Sequence, residues 1–232
     1  MPFRTRSYEK EYLDGIQIET KDLYRNLSEL DTINNHLGGY NASRKGLAAI
    51  CKANKSVRTI LDIGFGGGDS IKQFQKFADK NRINLFFYGA DFKEDCLTYA
   101  ENNLSALKNK QLICDDYRNL SEELLKQADI IHCSLFLHHL TNEEIISLFE
   151  FGKSNNCIIL ANDLHRHWFA YYSIKFLTAL FSKSYLVKND APLSVKRGFK
   201  KKELIALIKG AGFINYSVKW SWAFRYILIA YP

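Results

Sequence analysis

No two cysteines in this chain stand in C-x-x-C spacing. The five cysteines are scattered, and Cys114, Cys133 and Cys157 fall in apolar segments that read as buried strands. This fits reduced core thiols in a cytoplasmic protein rather than a disulfide framework. The six histidines show no metal-ligand spacing, so no metal is expected. No apolar run is long enough to span a bilayer: the most apolar helical stretch, Trp168 to Phe181, is short and contains Lys175. Met1 to Asp14 is charged rather than apolar and reads as no secretory leader. Internal repeats and low-complexity segments are absent. No Gly-Lys-Ser/Thr follows the glycine-rich turn at 64–68, so a phosphate-binding P-loop is excluded.

What is present is a 232-residue chain with 47% hydrophobic residues, enough for a buried core. The net charge is +7, and it is uneven. Residues 183–209 hold eight Lys/Arg against two acids, so that stretch carries +6 of the total. Such a basic stretch suits an anionic partner or is merely a solvated face.

Apolar and polar patterning places helices at the N-terminus and then alternates strands with helices. Residues from about Tyr8 to Asn54 read as helical, with Leu23, Leu27, Leu30 and Ile33 or Leu37 at helical spacing. Gly38-Gly39 is expected to end the first helix, and Ala42 to Ala53 reads as a second. From Arg58 the expected order is strand 59–63, helix 69–81, strand 84–90, helix 94–107, strand 111–114, short helix 121–126, strand 129–134, helix 142–152 and strand 156–162. Alternation of this kind predicts a parallel sheet covered by helices on both faces. Residues 164–198 read as an insertion, a very apolar helix followed by a loop that holds Asp190-Ala191-Pro192 and Arg197-Gly198. Helix 200–210 and two long strands, 213–220 and 223–230, complete the chain.

The most informative segment is Ile60-Leu61-Asp62-Ile63-Gly64-Phe65-Gly66-Gly67-Gly68-Asp69. An apolar strand ends in an acid, a glycine-rich turn follows, and a helix begins. That arrangement lets backbone N–H groups approach a nucleotide-like ligand. A dinucleotide fingerprint needs a third glycine at position 69, where Asp69 stands. Leu85 to Phe92 is a second apolar strand ending in an acid, and Asp91 is placed to accept hydrogen bonds from ribose hydroxyls, with Phe92 beside it for an adenine. Leu112 to Tyr117 is a third short strand ending in acids, Asp115 and Asp116.

The spacing of Asp62, Gly64, Gly66 and Gly68 resembles motif I of the Rossmann-like (class I) S-adenosylmethionine (SAM) methyltransferases. Ala128 to Leu140, with Ser134-Leu135-Phe136-Leu137-His138-His139, resembles motif IV of the small-molecule branch that includes ubiquinone and menaquinone methyltransferases. Leu30 to Gly39, Asn162 to Trp168 and Asp190 to Phe199 look like segments of a bacterial group that accompanies polyketide or pigment biosynthesis. The resemblance implies an α/β fold: a seven-stranded Rossmann-like methyltransferase sheet with a terminal antiparallel hairpin, N-terminal helices and a helical lid insertion. It implies one methyltransferase domain over 1–232, divided into N-terminal helices (1–56), SAM-binding core (57–163), lid insertion (164–199) and closing helix and hairpin (200–232).

The cofactor so implied is SAM, with S-adenosylhomocysteine (SAH) as product and no metal. Its expected contacts are Asp62, Gly64, Phe65, Gly66, Gly68, Asp91, Phe92, Asp115, Asp116, Tyr117, Ser134 and Leu135, with Arg44 for the methionine carboxylate. Methyl transfer asks the protein to bind, align and exclude water. A phenolic acceptor must also lose a proton, and histidine suits that near neutral pH. His138, His139, His165 and His167 all follow strand ends. His139 and His165 are expected to face the cleft as base, with Asp163 orienting one of them. His167, Trp168, Tyr171, Tyr172 and Arg197 are expected on the acceptor side.

The reaction expected is methylation of a small aromatic or polyketide-like acceptor, at oxygen in preference to carbon. An apolar acceptor with an acidic end, an acidic carrier protein or a membrane surface would each suit the greasy helix beside Lys196, Arg197 and Lys200 to Lys202. Two alternatives stand: an RNA methyltransferase and a non-catalytic SAM-binding scaffold. The first lacks the Asn/Asp-Pro-Pro-Tyr/Phe signature after the fourth strand, so nucleic acid is disfavoured as a partner.

Overall fold

The computed structural model describes residues 3–15 and 18–232. Met1 and Pro2, part of the segment read as no leader, lie outside them. An irregular arm with one turn of 3-10 helix, Tyr12–Asp14, precedes α1 (Thr20–His36) and α2 (Gly39–Ala53). The N-terminal helices therefore begin later than expected, and residues 8–11 form no regular element. Gly38 does separate α1 from α2, but Gly39 opens α2 rather than ending α1. Gly38 adopts φ +72° as the N-cap, and a Cβ there would come within 2.5 Å of the Trp222 carbonyl oxygen.

Strands and helices then alternate: β1 (Thr59–Ile63), α3 (Asp69–Asn81), β2 (Phe86–Asp91), α4 (Glu94–Asn103), β3 (Lys110–Cys114), α5 (Glu122–Lys126), β4 (Ile130–Ser134), α6 (Asn142–Ser154), β5 (Ile158–Leu164), α7 (Trp168–Phe181), α8 (Tyr185–Arg197), α9 (Lys201–Gly210), β6 (Asn215–Ser221) and β7 (Arg225–Tyr231). Local chemistry sets many of these boundaries. Thr141 and Glu144 form a reciprocal capping box at the start of α6. Ile71, Phe74 and Ala78 repeat on one face of α3 and are fully buried.

The sheet order is β3-β2-β1-β4-β5-β7-β6. Strands β1 to β5 pair in parallel, and β7 runs antiparallel between β5 and β6. This is the seven-stranded methyltransferase sheet with its closing hairpin. The chain leaves β1 toward β2 in one direction and returns to β4 in the other, so the carboxyl ends of β1 and β4 frame the crevice where open α/β sheets bind ligands.

Two expectations fail. Residues 185–197 form a helix, not a loop, even with Pro192 inside it. Ser184 caps its first turn, and Leu186, Val187, Leu193 and Val195 are buried, so tertiary packing outweighs the proline penalty. Cys114 is exposed rather than buried, because β3 is an edge strand.

Candidate active site

A cavity of about 300 Å³ lies at the carboxyl ends of β1, β2 and β4, within the range of small-molecule sites, roughly 300–1,000 Å³. Asp62, Gly64, Phe65, Gly66, Asp91, Phe92, Asp115, Asp116, Tyr117, Ser134 and Leu135 all line it. The glycine turn is tight: a Cβ on Gly64, at φ +68°, would stand 2.5 Å from the Phe136 ring. Gly68 caps α3 at φ +76°, and its open space is taken by Leu104 and Ala100 rather than by the cavity. Its role is to turn the chain. Leu135 also holds a left-handed φ of 55°, a conformation costly for a branched side chain, just where β4 meets the crevice.

Asp91 is buried, and burial raises its pKa against hydrogen bonds from Lys93 N–H and Gly66 N–H. Each carboxylate oxygen accepts one backbone bond and keeps a further lone pair for a ligand hydroxyl. Asp62 Oδ1 bonds His132 Nδ1 at 2.7 Å, and His132 Nε2 meets Ser43 Oγ at 3.0 Å. The Ser43–His132–Asp62 chain looks like a hydrolytic triad, but all three are buried, so no substrate reaches Ser43. It is a strut tying α2 to β4 and β1. Asp62 Oδ2 is buried with no hydrogen-bond partner in the cavity wall. An orphaned carboxylate oxygen there fits the cationic amino end of SAM, and Asp91 fits its ribose.

A second cavity, of about 310 Å³, abuts the first. Leu13, Leu30, Asn34, Leu135 and His139 line both. Its far wall is the inner face of α7, with Phe169, Ala170, Ser173, Ile174 and Leu177. His138, His139 and Glu11 stand at its polar edge.

Each of these histidines is held by a carboxylate. His138 Nδ1 lies 2.8 Å from Asp163 Oδ1, and His139 Nδ1 lies 2.7 Å from Asp14 Oδ1. Burial opposes ionisation of Asp14, but the bond and charge of His139 and the Arg197 bond together hold it below the usual range. Asp163 is likewise held low against its burial, by the charge and hydrogen bond of His138. An ionised Asp14 can only accept, so His139 Nδ1 donates to it, and in the neutral ring the lone pair is then on Nε2. Glu11 sits opposite, 3.7 Å from His138 Nε2 and 4.0 Å from His139 Nε2. Burial pushes its carboxyl up to about 7, against the charges of His139 and Arg197.

Glu11, His138 and His139 thus bring three potential ligand atoms within 4.8 Å, a grouping that histidine spacing did not reveal. Glu11 Oε1 already accepts from Ser194 Oγ at 2.9 Å.

Several expected residues lie elsewhere. His165 lines neither cavity. It packs against Tyr226 and His167 at centroid distances of 4.9 and 5.3 Å, and burial with the nearby Lys200 lowers its pKa to about 4. The turn after β5 points it away from the crevice, because Leu164 takes the inward position. His167 caps α7 by accepting from Phe169 N–H at 3.2 Å and stacks on Phe224.

Trp168, Tyr171 and Tyr172 are also absent from the cavity walls, since α7 turns its other face inward. Arg44 bonds Gln73 at 3.3 Å outside the first cavity. Arg197 is buried, donating to Asp14 and to the carbonyls of His138 and His139. It braces the histidines and lines neither cavity.

Glu11 and Asp14 were not singled out from sequence. The arm that carries them is tied down by Arg6, which donates to the His138 and Leu140 carbonyls, and by Asp190, which accepts from Tyr12 and Leu13 N–H. Arg166, fully buried, pairs with Glu203 and holds the Phe3 and Arg4 carbonyls.

Residues 60–151 match the family described as methyltransferase domain. No curated protein matches the chain in sequence. Among solved structures, the plantazolicin methyltransferase BpumL in complex with SAH is 17% identical with a TM-score of 0.65, over 91% of this chain and 95% of that one. Magnesium protoporphyrin IX methyltransferase from Synechocystis PCC 6803 with bound SAM is 15% identical with a TM-score of 0.59, over 94% and 93%. A SAM-dependent methyltransferase from Aquifex aeolicus is 15% identical with a TM-score of 0.62, over 92% and 98%.

The sheet order is the class I, Rossmann-like methyltransferase fold of these neighbours, and residues 60–151, which match the methyltransferase domain, carry the glycine turn and the strand ends that line the first cavity. The first of these neighbours holds SAH and the second SAM.

Proposed function

We propose that this enzyme methylates a hydroxyl oxygen of a small aromatic or polyketide-like acceptor, with His139 as the base. SAM supplies an activated methyl group whose departure needs no protein nucleophile. The chain's own work is to hold the cofactor along 62–68, Asp91 and 115–117, to seat the acceptor in the second cavity, and to take one proton. His139 supports this reading more than any other residue: it lines both cavities, and Asp14 fixes the tautomer that leaves Nε2 basic. As acceptor oxygen attacks the methyl carbon, the hydroxyl proton passes to His139 Nε2 and the C–S bond breaks.

The second cavity is apolar, which favours a flat apolar body over a sugar or a nucleotide. Glu11 beside the two imidazoles favours a neutral hydroxyl over an anion at that edge. All of 1–232 would then serve one site, with 57–163 holding SAM and 164–199 covering the acceptor. Free thiols at Cys51, Cys96, Cys114, Cys133 and Cys157 support a cytoplasmic setting.

The test is incubation with methyl-labelled SAM and a panel of phenols and polyketide-like hydroxyaromatics, with mass spectrometry of the products. O-methyl products whose formation collapses in His139→Ala support the proposal. C-methyl products, or turnover in that variant within a few-fold of the parent, overturn it.

A further inference from the structure

Helix α7 is apolar on both sides. Its inner face roofs the second cavity. Its outer face repeats every four residues, and Trp168, Tyr172, Phe176 and Leu180 are 56, 57, 67 and 62% exposed. The stripe continues onto the β6–β7 hairpin. Phe224 packs 5.8 Å from Phe169 on one side, and 6.1 and 6.4 Å from the exposed Trp220 and Trp222 on the other. A helix that is greasy all round is ordinarily buried, and a contiguous exposed patch of this kind marks an interaction surface.

The exposed charges on the segments that carry the patch are of one sign, and Glu29 of α1, at the C-terminal end of α7, is taken up by Ser182 and the N–H groups of Lys183 and Ser184. No Asp or Glu occurs between Asp163 and Asp190, or anywhere after Glu203. Lys175, Lys183, Lys188 and Lys219 are exposed on these same segments. Two copies of such a face would repel. The helix has 14 residues, about 21 Å at the α-helical rise, and no helix among the described residues is long and apolar enough to cross a membrane. A short aromatic and aliphatic stripe fringed by lysine is the pattern of a helix lying in the plane of a membrane interface.

We propose that the outer face of α7 and the tip of the β6–β7 hairpin rest on an anionic lipid bilayer, and that the acceptor is a lipophilic molecule which enters the second cavity from that surface. The substrate class rests on the second cavity being the acceptor site; the membrane contact does not. With the stripe buried roughly 5–10 Å into the headgroup boundary, the roof of the cavity stands at the bilayer edge. An apolar acceptor then passes under α7 without crossing water.

The experiment is flotation of the full chain with phosphatidylcholine vesicles, with and without phosphatidylglycerol, followed by intrinsic tryptophan fluorescence. Partitioning onto the anionic vesicles, a blue shift, and release by high salt are expected. Phe176→Glu with Leu180→Glu should abolish binding, and Lys183→Glu with Lys219→Glu should weaken it by about tenfold or more. All four residues are exposed and outside both cavities, so SAM affinity and the melting temperature should stay unchanged.

No partitioning onto either vesicle overturns the proposal. So does equal binding by the Phe176/Leu180 variant, self-association through this face, or capture of an acidic carrier protein without lipid. Vesicle binding needs no acceptor, so it can succeed while the O-methylation panel fails. Methylation of water-soluble phenols at equal rates with and without vesicles would remove the lipophilic acceptor and leave the membrane contact.

Discussion

His139 and Asp14 are 125 positions apart in the chain, and their Nδ1 and Oδ1 atoms stand 2.7 Å apart. The pair closes the junction between a strand end and the N-terminal arm. It places one imidazole at the boundary between the glycine-turn cavity and the second, mainly apolar cavity.

Asp14→Asn should test the pair. The carboxamide can donate as well as accept, so the tautomer of His139 is no longer fixed. Turnover should fall by about 10²–10⁴-fold in His139→Ala, the usual range for general-base loss, and by a smaller factor in Asp14→Asn. His165→Ala should leave turnover within a few-fold. Single-turnover rates measure this, with SAM affinity from calorimetry as the control. A larger loss in His165→Ala than in His139→Ala would reassign the base.

Cofactor binding should respond to the turn and to the second strand end. Asp91→Ala removes a charged acceptor and should weaken SAM binding by roughly 1.5–3 kcal/mol. Gly66→Val should be worse. Gly66 holds φ +54°, and its Cβ would face Leu27 in the cavity wall at 3.5 Å, placing a branched side chain in ligand space. Unchanged SAM affinity in both variants would remove the assignment of this cavity to the cofactor.

Arg197→Met should unfold the chain at lower urea. The guanidinium is buried between Asp14 and the carbonyls of His138 and His139, and its loss leaves Asp14 with His139 as its only side-chain partner and both carbonyls without this donor. The expected cost is on the order of 3 kcal/mol. A stability unchanged by this substitution, with only acceptor KM raised, would instead return Arg197 to the ligand-binding role expected from sequence.

Glu11 should make stability fall with rising pH. A glutamate carboxyl ordinarily titrates at 4.5, and burial raises this one to about 7 in the folded protein, so between those values the folded state binds the extra proton. Its contribution is fully present below pH 4.5 and is lost as pH rises through about 7. Asp14 and Asp163 run the other way, because their folded pKa values are depressed, and their contributions are lost as the medium turns acid. Urea unfolding of Glu11→Gln against the parent isolates the first effect. The difference should grow in favour of the variant from pH 4.5 to 7, and parallel curves would refute it.

Much of the scaffold was legible from local pattern. Asp62 with Gly64 to Gly68, Asp91, and Asp115 with Asp116 stand at the ends of short apolar runs. A parallel sheet carries successive strand ends to one edge, so residues found at strand ends in the sequence converge on one cavity. The two closing strands were legible as apolar runs, and the antiparallel setting of β7 was implied by the family resemblance. Pattern also supplied the histidine pair at 138 and 139, because it follows β4 directly.

Other features needed the tertiary structure, for identifiable reasons. Whether a histidine past a strand end faces in or out depends on one residue of register: Leu164 took the inward position after β5 and sent His165 outward. Residues 185–197 read as a loop because Pro192 and short-range signals favour one, and only burial of Leu186, Val187, Leu193 and Val195 made a helix there. Arg197 read as a free cation, since the sequence shows charge but not the carboxylate that consumes it. Glu11 and Asp14 carry no local signal at all. Sequence determined the sheet, the turn and the cofactor, because those rest on contacts repeated along the chain. Only the fold decided which histidine stands between the two cavities and what holds it, because that depends on a single contact across 125 positions.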